Sequence, residues 1–458
     1  MELDDFFGWF DDMSRRLRLR TEQVDLADLA GWRVDPGTGD LRHTSGRFFT
    51  VEGLGVDDPD GPVPHWEQPV LRQPEVGILG ILLRRRGGEV SCLMQAKDEP
   101  GNAGDVQLSP TVQATRSNYS RAHGGRSVPY LEFFRDHHPA RRRLVDVRQS
   151  EQGSWFDRKS NRNMVVETTE DVPALPGFRW TSLRELRALL SFDDVVNMDT
   201  RSVLACLPPE GPDPGGLHSM PEVLSWITDV RSAGGMRTTP LPLARVSGWR
   251  HGRDRIFHES GRWFDVIGVR AAGDGREVGE WCQPMIAPRG QGVAAFLLRE
   301  FDGVPHVAVR ARRGPGYVDV AELGPTVQCT PENYEDLPRS ARPPYLADVL
   351  DAPPDRVSRD VVLSEEGGRF HHARNRYLVV RTDAGPPTDH PDFRWLTLHQ
   401  LGRLLRHSHY VNVEARTLVA CLHGMAEGAP AGGNQVGAGA SSRRPRRRAA
   451  SQSPRTGG

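Results

Sequence analysis

The chain is short of the features that would place it in a membrane, outside the cell or on a nucleic acid. No window approaches the roughly 18 consecutive apolar residues of a membrane span, and the opening MELDDFFGWFDDMSRR is acidic before it is basic, without the apolar run of a signal peptide. Five cysteines, at 92, 206, 282, 329 and 421, form no CxxC pair. That spacing fits neither a disulfide framework nor a zinc site and makes a reducing cytoplasm the expected setting. Lys and Arg number 59 against 60 Asp and Glu, a formal net charge of −1, so nothing global draws the protein to nucleic acid or to an anionic membrane. No GxGxxG follows a strand-like run and no P-loop occurs, so no dinucleotide or nucleoside triphosphate cradle is expected.

What the chain does have is a copy of itself. Its 458 residues exceed what one hydrophobic core usually covers, and LSPTVQATRSNY (108–119) lies over LGPTVQCTPENY (323–334), 215 positions on. GFRWTSLRELRALLSFDDVVNMDTRSVLACL (177–207) lies over DFRWLTLHQLGRLLRHSHYVNVEARTLVACL (392–422) at the same offset. SEQGSWFDRKSNRNMVVET (150–168) meets SEEGGRFHHARNRYLVVRT (364–382) at 214, and LAGWR meets VSGWR at 217. A register kept with such small indels means tandem duplication. The expected boundaries are a first copy over 3–207, a Pro- and Gly-rich linker over 208–220, a second copy over 221–422, and a disordered tail over 423–458.

Within each copy the pattern predicts an opening amphipathic helix (DFFGWFDDM, PEVLSWITDV), then turn-punctuated strands (RFFTVEG, VGILGILLRR, SCLMQAK, NMVVETT), then a closing helix. That helix carries a capping-box signal, Ser182 with Glu185, followed by core leucines at 183, 186, 189 and 190. Strands with a helix packed across them give an α+β class, each copy a sandwich. Trp32, Trp180, Trp249 and Trp395 sit inside strand or helix-entry patterns and read as core. His123, His137 and His138 lack a companion at metal-ligand spacing and read as solvated.

The passage QAKDEPGNAGDVQLSPTVQATRSNY, the GWR and FRW positions and the duplication resemble the NDP-hexose 2,3-dehydratase family over about residues 3–422. The resemblance implies two tandem α/β/α sandwich domains akin to the Nudix hydrolases, a homodimer, and no cofactor. It implies as substrate a dTDP-linked (or similarly activated) 4-keto-6-deoxyglucose. The implied product, a 3,4-diketo-2,6-dideoxy sugar, is unstable and passes to an NADPH-dependent 3-ketoreductase on the way to antibiotic sugars. The Nudix metal signature is missing from both copies, where LRELRALL and SEEGG are the nearest fragments, so no metal is expected. Two other readings are a divergent Nudix-type nucleotide-sugar hydrolase and a non-catalytic nucleotide-sugar binding protein.

Dehydration next to a ketone needs a base, an acid and donors for the enolate oxygen. Comparing the copies suggests where. Lys97, Asp98 and Glu99 become Arg312, Arg313 and Gly314, and Gln107 becomes Glu322. The expected catalytic set is therefore Lys97, Glu99, Gln107 and Tyr119, in the first copy, although DEPGN would also serve simply as a turn and Tyr119 recurs as Tyr334. Shared polar positions are expected to bind substrate: Ser150 and Ser364, Glu151 and Glu365, Asn161 and Asn375, Arg162 and Arg376, Asn197 and Asn412, Arg201 and Arg416, with Gln149 beside them. Trp66 and Trp281 are expected to stack on the base, and the arginines to grip the diphosphate.

Overall fold

The protein is seen here as a computed structural model that describes residues 2–104, 106–115, 128–273, 279–335, 337 and 339–427. Tyr119, His123 and the tail from residue 428 lie outside these. Among the described residues there are eight α-helices: α1 (Glu2–Arg16), α2 (Glu132–Arg135), α3 (Leu183–Leu189), α4 (Met198–Ala205), α5 (Met220–Ala233), α6 (Leu346–Leu350), α7 (Leu398–Leu404) and α8 (Val413–Glu427). No described helix is long and apolar enough to cross a membrane.

The mixed α+β architecture is repeated. Each copy holds a seven-stranded sheet in which one parallel pair, Ser160–Thr168 beside Ile78–Arg86 or Arg374–Arg381 beside Gly292–Phe301, is embedded among antiparallel neighbours. The central strand Ile78–Arg86 is apolar along most of its length because both of its faces are covered. Leu79, Ile81 and Leu83 enter one cluster while Ile78 and Leu82 enter another, behind α2, as the two-residue period of a strand requires.

The first of those clusters belongs to both copies. The inner faces of the two large sheets meet over α3, α4, α7 and α8, and their side chains form one continuous core with Phe6 and Phe10 of α1 and Trp226 and Ile227 of α5. The smaller sheets are interlaced as well. Arg237–Leu241 of the second copy pairs with Thr50–Asp57 of the first, and Arg20–Val24 of the first with Phe264–Ala272 of the second. Each copy adds a strand to the edge of the other's small sheet, covering backbone groups that would otherwise be open there.

The signal at 182 is half realised. Ser182 accepts the N–H of Glu185 at 3.0 Å, but the Glu185 carboxylate turns to Arg179 at 3.7 Å; the second copy closes the full box between Thr397 and Gln400. Leu186, Leu189 and Leu190 are fully buried and Leu183 packs at the core's margin. Trp249 and Trp395 are buried as expected.

Where α4 meets α8, a reciprocal polar seam fastens the copies. Arg201 donates to the carbonyl of Val196 (2.6 Å), to Thr417 Oγ1 across the seam (3.2 Å) and to the carbonyl of Ser364 (2.6 Å). Arg416 does the same with Val411 (2.7 Å), Ser202 Oγ (2.9 Å) and the carbonyl of Ser150. Both guanidiniums are inaccessible to solvent. Gln107 donates to Ser364 Oγ at 2.6 Å, Ser150 Oγ donates to Glu322 at 2.5 Å, and Gln149 donates to the carbonyl of Leu405 at 3.1 Å. The structure thus places Arg201, Arg416, Ser150, Ser364 and Gln149, expected to bind substrate, and Gln107, expected in the catalytic set, inside the seam. The two arginines and the two serines recur because the seam has two equivalent halves.

One half of the seam titrates and the other does not. Burial pushes Glu322 up to about 7 from the ordinary 4.5, against the lowering effect of Ser150 and Arg416, whereas its counterpart Gln107 is neutral. The folded state therefore holds this proton more tightly than the unfolded chain, so the stability linked to it is present below about pH 4.5 and is lost as pH rises through about 7. Glu322→Gln, which installs the first copy's residue, is expected to match wild type in urea unfolding near pH 4.5 and to exceed it increasingly up to pH 7–8. A variant no more stable than wild type at pH 8 would contradict this assignment.

Candidate active site

A cleft of about 1230 Å³ opens beside the first copy's large sheet and takes its walls from both copies. At the end of strand Glu89–Asp98, Gln95 and Lys97 face it, two residues apart and so on one side of the strand. The chain then turns through Glu99–Asn102, with the Asn102 N–H on the Glu99 carbonyl at 3.0 Å. Glu99 swings back to pair with Lys97 (Nζ–Oε1 3.1 Å) and to accept from Gln113 Nε2 (3.0 Å). DEPGN is thus a turn and also the carrier of the Lys–Glu pair.

That turn is docked on the second copy. Gly101 N–H donates to the Gly367 carbonyl and the His372 N–H to the Gly101 carbonyl, both at 2.8 Å. The loop it touches sends Glu366 and Arg369 into the cleft, and strand Glu280–Pro288 adds Trp281 and Gln283. Trp281 Nε1 donates to Gln283 Oε1 (3.3 Å), whose amide donates to the Gly368 carbonyl (2.6 Å). Arg369 stacks over Phe49 at 4.3 Å and donates to Gln73. From the first copy's small sheet come Trp32, His43 and Phe48. Trp32, expected in the core, instead lines the cleft and donates to the Cys282 carbonyl at 2.7 Å.

The inner end is crowded with charge. Asp199, in the first turn of α4, borders the cleft with only 3% of its surface exposed, and Asn161 stands beside it as a lining residue. Burial, then the charges of Glu151, Glu366 and Glu99, push Asp199 well above the usual carboxylate range. Burial and then Glu366 raise Glu151 to about 7. Lys159, buried and donating to the Glu75 carbonyl, is lowered by its desolvation. Among the described residues no group of three or more His, Cys, Asp or Glu is arranged to hold a metal ion.

In the second copy the equivalent space is filled. Gly314 replaces Glu99 and Tyr317 replaces Asn102; a Cβ on Gly314 or Gly153 would lie 2.7 or 2.5 Å from the Tyr317 ring. The phenol, 6% exposed, accepts from Asn412 at 3.0 Å. Beside it Arg312 donates to the Gln328 carbonyl.

Of the expected site residues, the structure brings Lys97, Glu99, Asn161 and Trp281 to one cleft, with Glu151 directly behind Asn161 (2.6 Å). Trp66 does not join them: it packs beside Met236 and donates to Gln68. Arg162 and Arg376 are half-buried and paired in two-point fashion with Asp146 and Asp360, so they are ion pairs at the surface. Asn197 caps α4 through the Thr200 N–H, and Asn412 does the same for Ala415. Asn375 and Tyr377 both donate to Glu365 Oε1 inside the second copy. The residues not anticipated are Gln113, Lys159, Asp199, Glu366 and Arg369. Four of these differ between copies, as Lys159 against Ala373, Asp199 against Glu414, Glu366 against Gln152 and Arg369 against Trp155, so the same comparison carried further along the chain reaches them.

A cleft with paired acids and bases, a buried carboxyl and aromatic walls is a site for proton transfer on a polar organic substrate. The chain belongs to the NDP-hexose 2,3-dehydratase family, whose profile matches residues 3–207 and 220–422. It is 50% identical over 433 residues (93% of this chain, 91% of the relative) to the dTDP-4-dehydro-6-deoxy-α-D-glucopyranose 2,3-dehydratase of Amycolatopsis orientalis. Proteins of the same name from Streptomyces violaceoruber and Saccharopolyspora spinosa are 48% and 45% identical, covering 91% and 92% of this chain and 96% and 91% of their own.

The docking of the turn is sterically tight. A Cβ on Gly101 would lie 1.8 Å from the Phe370 carbonyl oxygen, so Gly101→Ala must lift the turn that carries Glu99. It is expected to cost about 1–3 kcal/mol in urea unfolding, as overpacking does. Gly8→Ala, inside α1 with nothing within 4 Å of the new carbon, is expected to stabilise by up to about 1 kcal/mol. Equal effects from the two would contradict the docked geometry.

Proposed function

We propose that this chain removes water across carbons 2 and 3 of dTDP-4-keto-6-deoxyglucose. The observation that carries the reading is the Lys97–Glu99 pair at 3.1 Å in a cleft walled by both copies, in a chain of this family. The ketone at carbon 4 acidifies the proton on carbon 3. Glu99 takes that proton, and Lys97, held beside it, donates to the enolate oxygen that forms; such donors are worth about 10²–10³-fold. Loss of the carbon 2 hydroxyl as water leaves an enol at carbon 3, which tautomerises to the 3,4-diketone. No redox change occurs in this sequence.

The nucleotide end of the substrate is assigned to the aromatic mouth, where Trp281 stacks on thymine, and Arg369 or the nearby Arg270 meets the diphosphate. The same reading includes a Nudix-like kinship for each copy, supported by a mixed sheet with helices on both faces. It also includes a homodimer, a cytoplasmic setting and a role in antibiotic sugar biosynthesis, for which the family resemblance is the support. An NADPH-dependent 3-ketoreductase follows from the instability of the product.

The test is incubation with dTDP-4-keto-6-deoxyglucose in deuterated water, together with a 3-ketoreductase and NADPH. A 2-deoxy product carrying deuterium at carbon 2 is expected. Lys97→Met is expected to lower the rate by about 10²-fold or more, and Arg312→Lys to leave it near wild type. Release of nucleoside monophosphate, or tight binding with unchanged substrate, would refute the reading in favour of a hydrolase or a sensor.

A further inference from the structure

One buried oxygen behind the cleft, Glu151 Oε2, has no hydrogen-bond partner. The other copy indicates what belongs there. Glu365, the counterpart of Glu151, receives the side-chain amide of Gln152 on its own Oε2 at 2.7 Å, and Gln152 is the counterpart of Glu366. The remaining contacts correspond. Asn161 donates to Glu151 Oε1 at 2.6 Å and Asn375 to Glu365 Oε1 at 2.8 Å. The backbone N–H of Glu151 donates to the Lys159 carbonyl at 3.0 Å and that of Glu365 to the Ala373 carbonyl at 2.9 Å.

The first copy therefore sets two carboxyls where the second has a carboxylate and an amide. Two oxygens can replace an N–H···O contact only with a proton between them, the arrangement of a carboxyl pair that shares one proton. Glu151 is withdrawn from bulk water, while Glu366 is only partly buried and borders the cleft beside Lys97 and Glu99. Nothing donates a hydrogen bond to the Glu366 carboxyl among the described residues.

We propose that Glu366, sharing a proton with Glu151, delivers that proton to the hydroxyl leaving carbon 2, so that the second copy supplies the acid for a reaction whose base sits on the first. The proposal rests on the dehydratase reading. Its steps balance. The carbon 3 proton passes to Glu99 as the enolate forms; the C2–O bond then breaks while the Glu366 proton joins the departing oxygen to make water. On tautomerisation the enol proton returns to Glu366, and Glu99, whose proton has by then exchanged with solvent, protonates carbon 2. Both carboxyls are reset, and the net change is loss of one water. Glu151 does not border the cleft and acts as a positioning residue that holds the shared proton.

The surroundings set when the proton is present. Glu366 faces Arg369, Glu99, Lys159 and Lys97, and Glu151 faces Arg416 and Lys159, with Asp199 close to both. Burial is the largest influence on each and raises both, Glu151 to about 7. The acid is thus loaded at and below neutral pH, and turnover falls as pH rises beyond it.

Glu366→Gln tests this, because it rebuilds the pairing that the second copy already has, between residues 365 and 152, and so spares the fold. Its Tm and its affinity for dTDP should stay at wild-type values. The kcat is expected to fall about 10²–10⁴-fold and its alkaline limb to disappear, while the enzyme still exchanges the carbon 3 hydrogen of the substrate with deuterated water. Wild-type kcat in Glu366→Gln would overturn the proposal, as would loss of carbon 3 exchange together with turnover. If the wild-type protein itself fails to dehydrate the substrate, the dehydratase reading falls first and takes the proposal with it.

Discussion

Two arginines buried in a shared core hold the rest of this molecule in place. A guanidinium without solvent must find its hydrogen bonds inside the protein, and Arg201 and Arg416 each find them at three places: the entry to their own helix, the facing helix, and the end of a strand in the opposite copy. The strand ends they grip, Ser150 and Ser364, lead directly into the loops that carry Glu151 and Glu366. The same contacts that join the copies therefore fix the registration of each loop against the other copy's turn. The exchanged strands of the small sheets act in the same sense, bringing Trp281 and Trp32 to one mouth.

From this symmetric frame the two copies diverge at a few positions. Glu99 and Asn102 leave room in the first copy; Gly314 and Tyr317 close the corresponding room in the second with a single ring. The loop that the second copy sends across carries Glu366 and Arg369, while the loop sent the other way carries Gln152 and Trp155. The asymmetry is therefore complementary: the first copy keeps the cleft, and the second keeps the groups that reach into it. A duplicated fold becomes one composite site in place of two equal ones.

Much of this was legible in the sequence. Internal similarity reveals the duplication, and strand and helix periods locate the central elements, because Leu79, Ile81 and Leu83 alternate and the leucines after Ser182 recur at helical spacing. The contrast of Lys97 and Glu99 with Arg312 and Gly314 points to the strand end that borders the cleft. The shared polar residues misled for a physical reason. Repetition preserves whatever two equivalent interfaces need, and Arg201, Asn197 and Ser150 meet structural needs of seam and helix cap. Nor does a one-dimensional comparison show that each copy's loop serves the opposite cleft. The pairs Arg162–Asp146 and Arg376–Asp360 recur simply as diagonal neighbours across adjacent strands.

The central claim is that one chain builds one working cleft from parts of both copies. Calorimetric titration of the full chain with dTDP counts such clefts directly. The account predicts one equivalent bound per chain, lost when Trp281 is replaced by alanine and kept when Trp66 is. Two equivalents per chain, or loss of binding with Trp66→Ala alone, would contradict it.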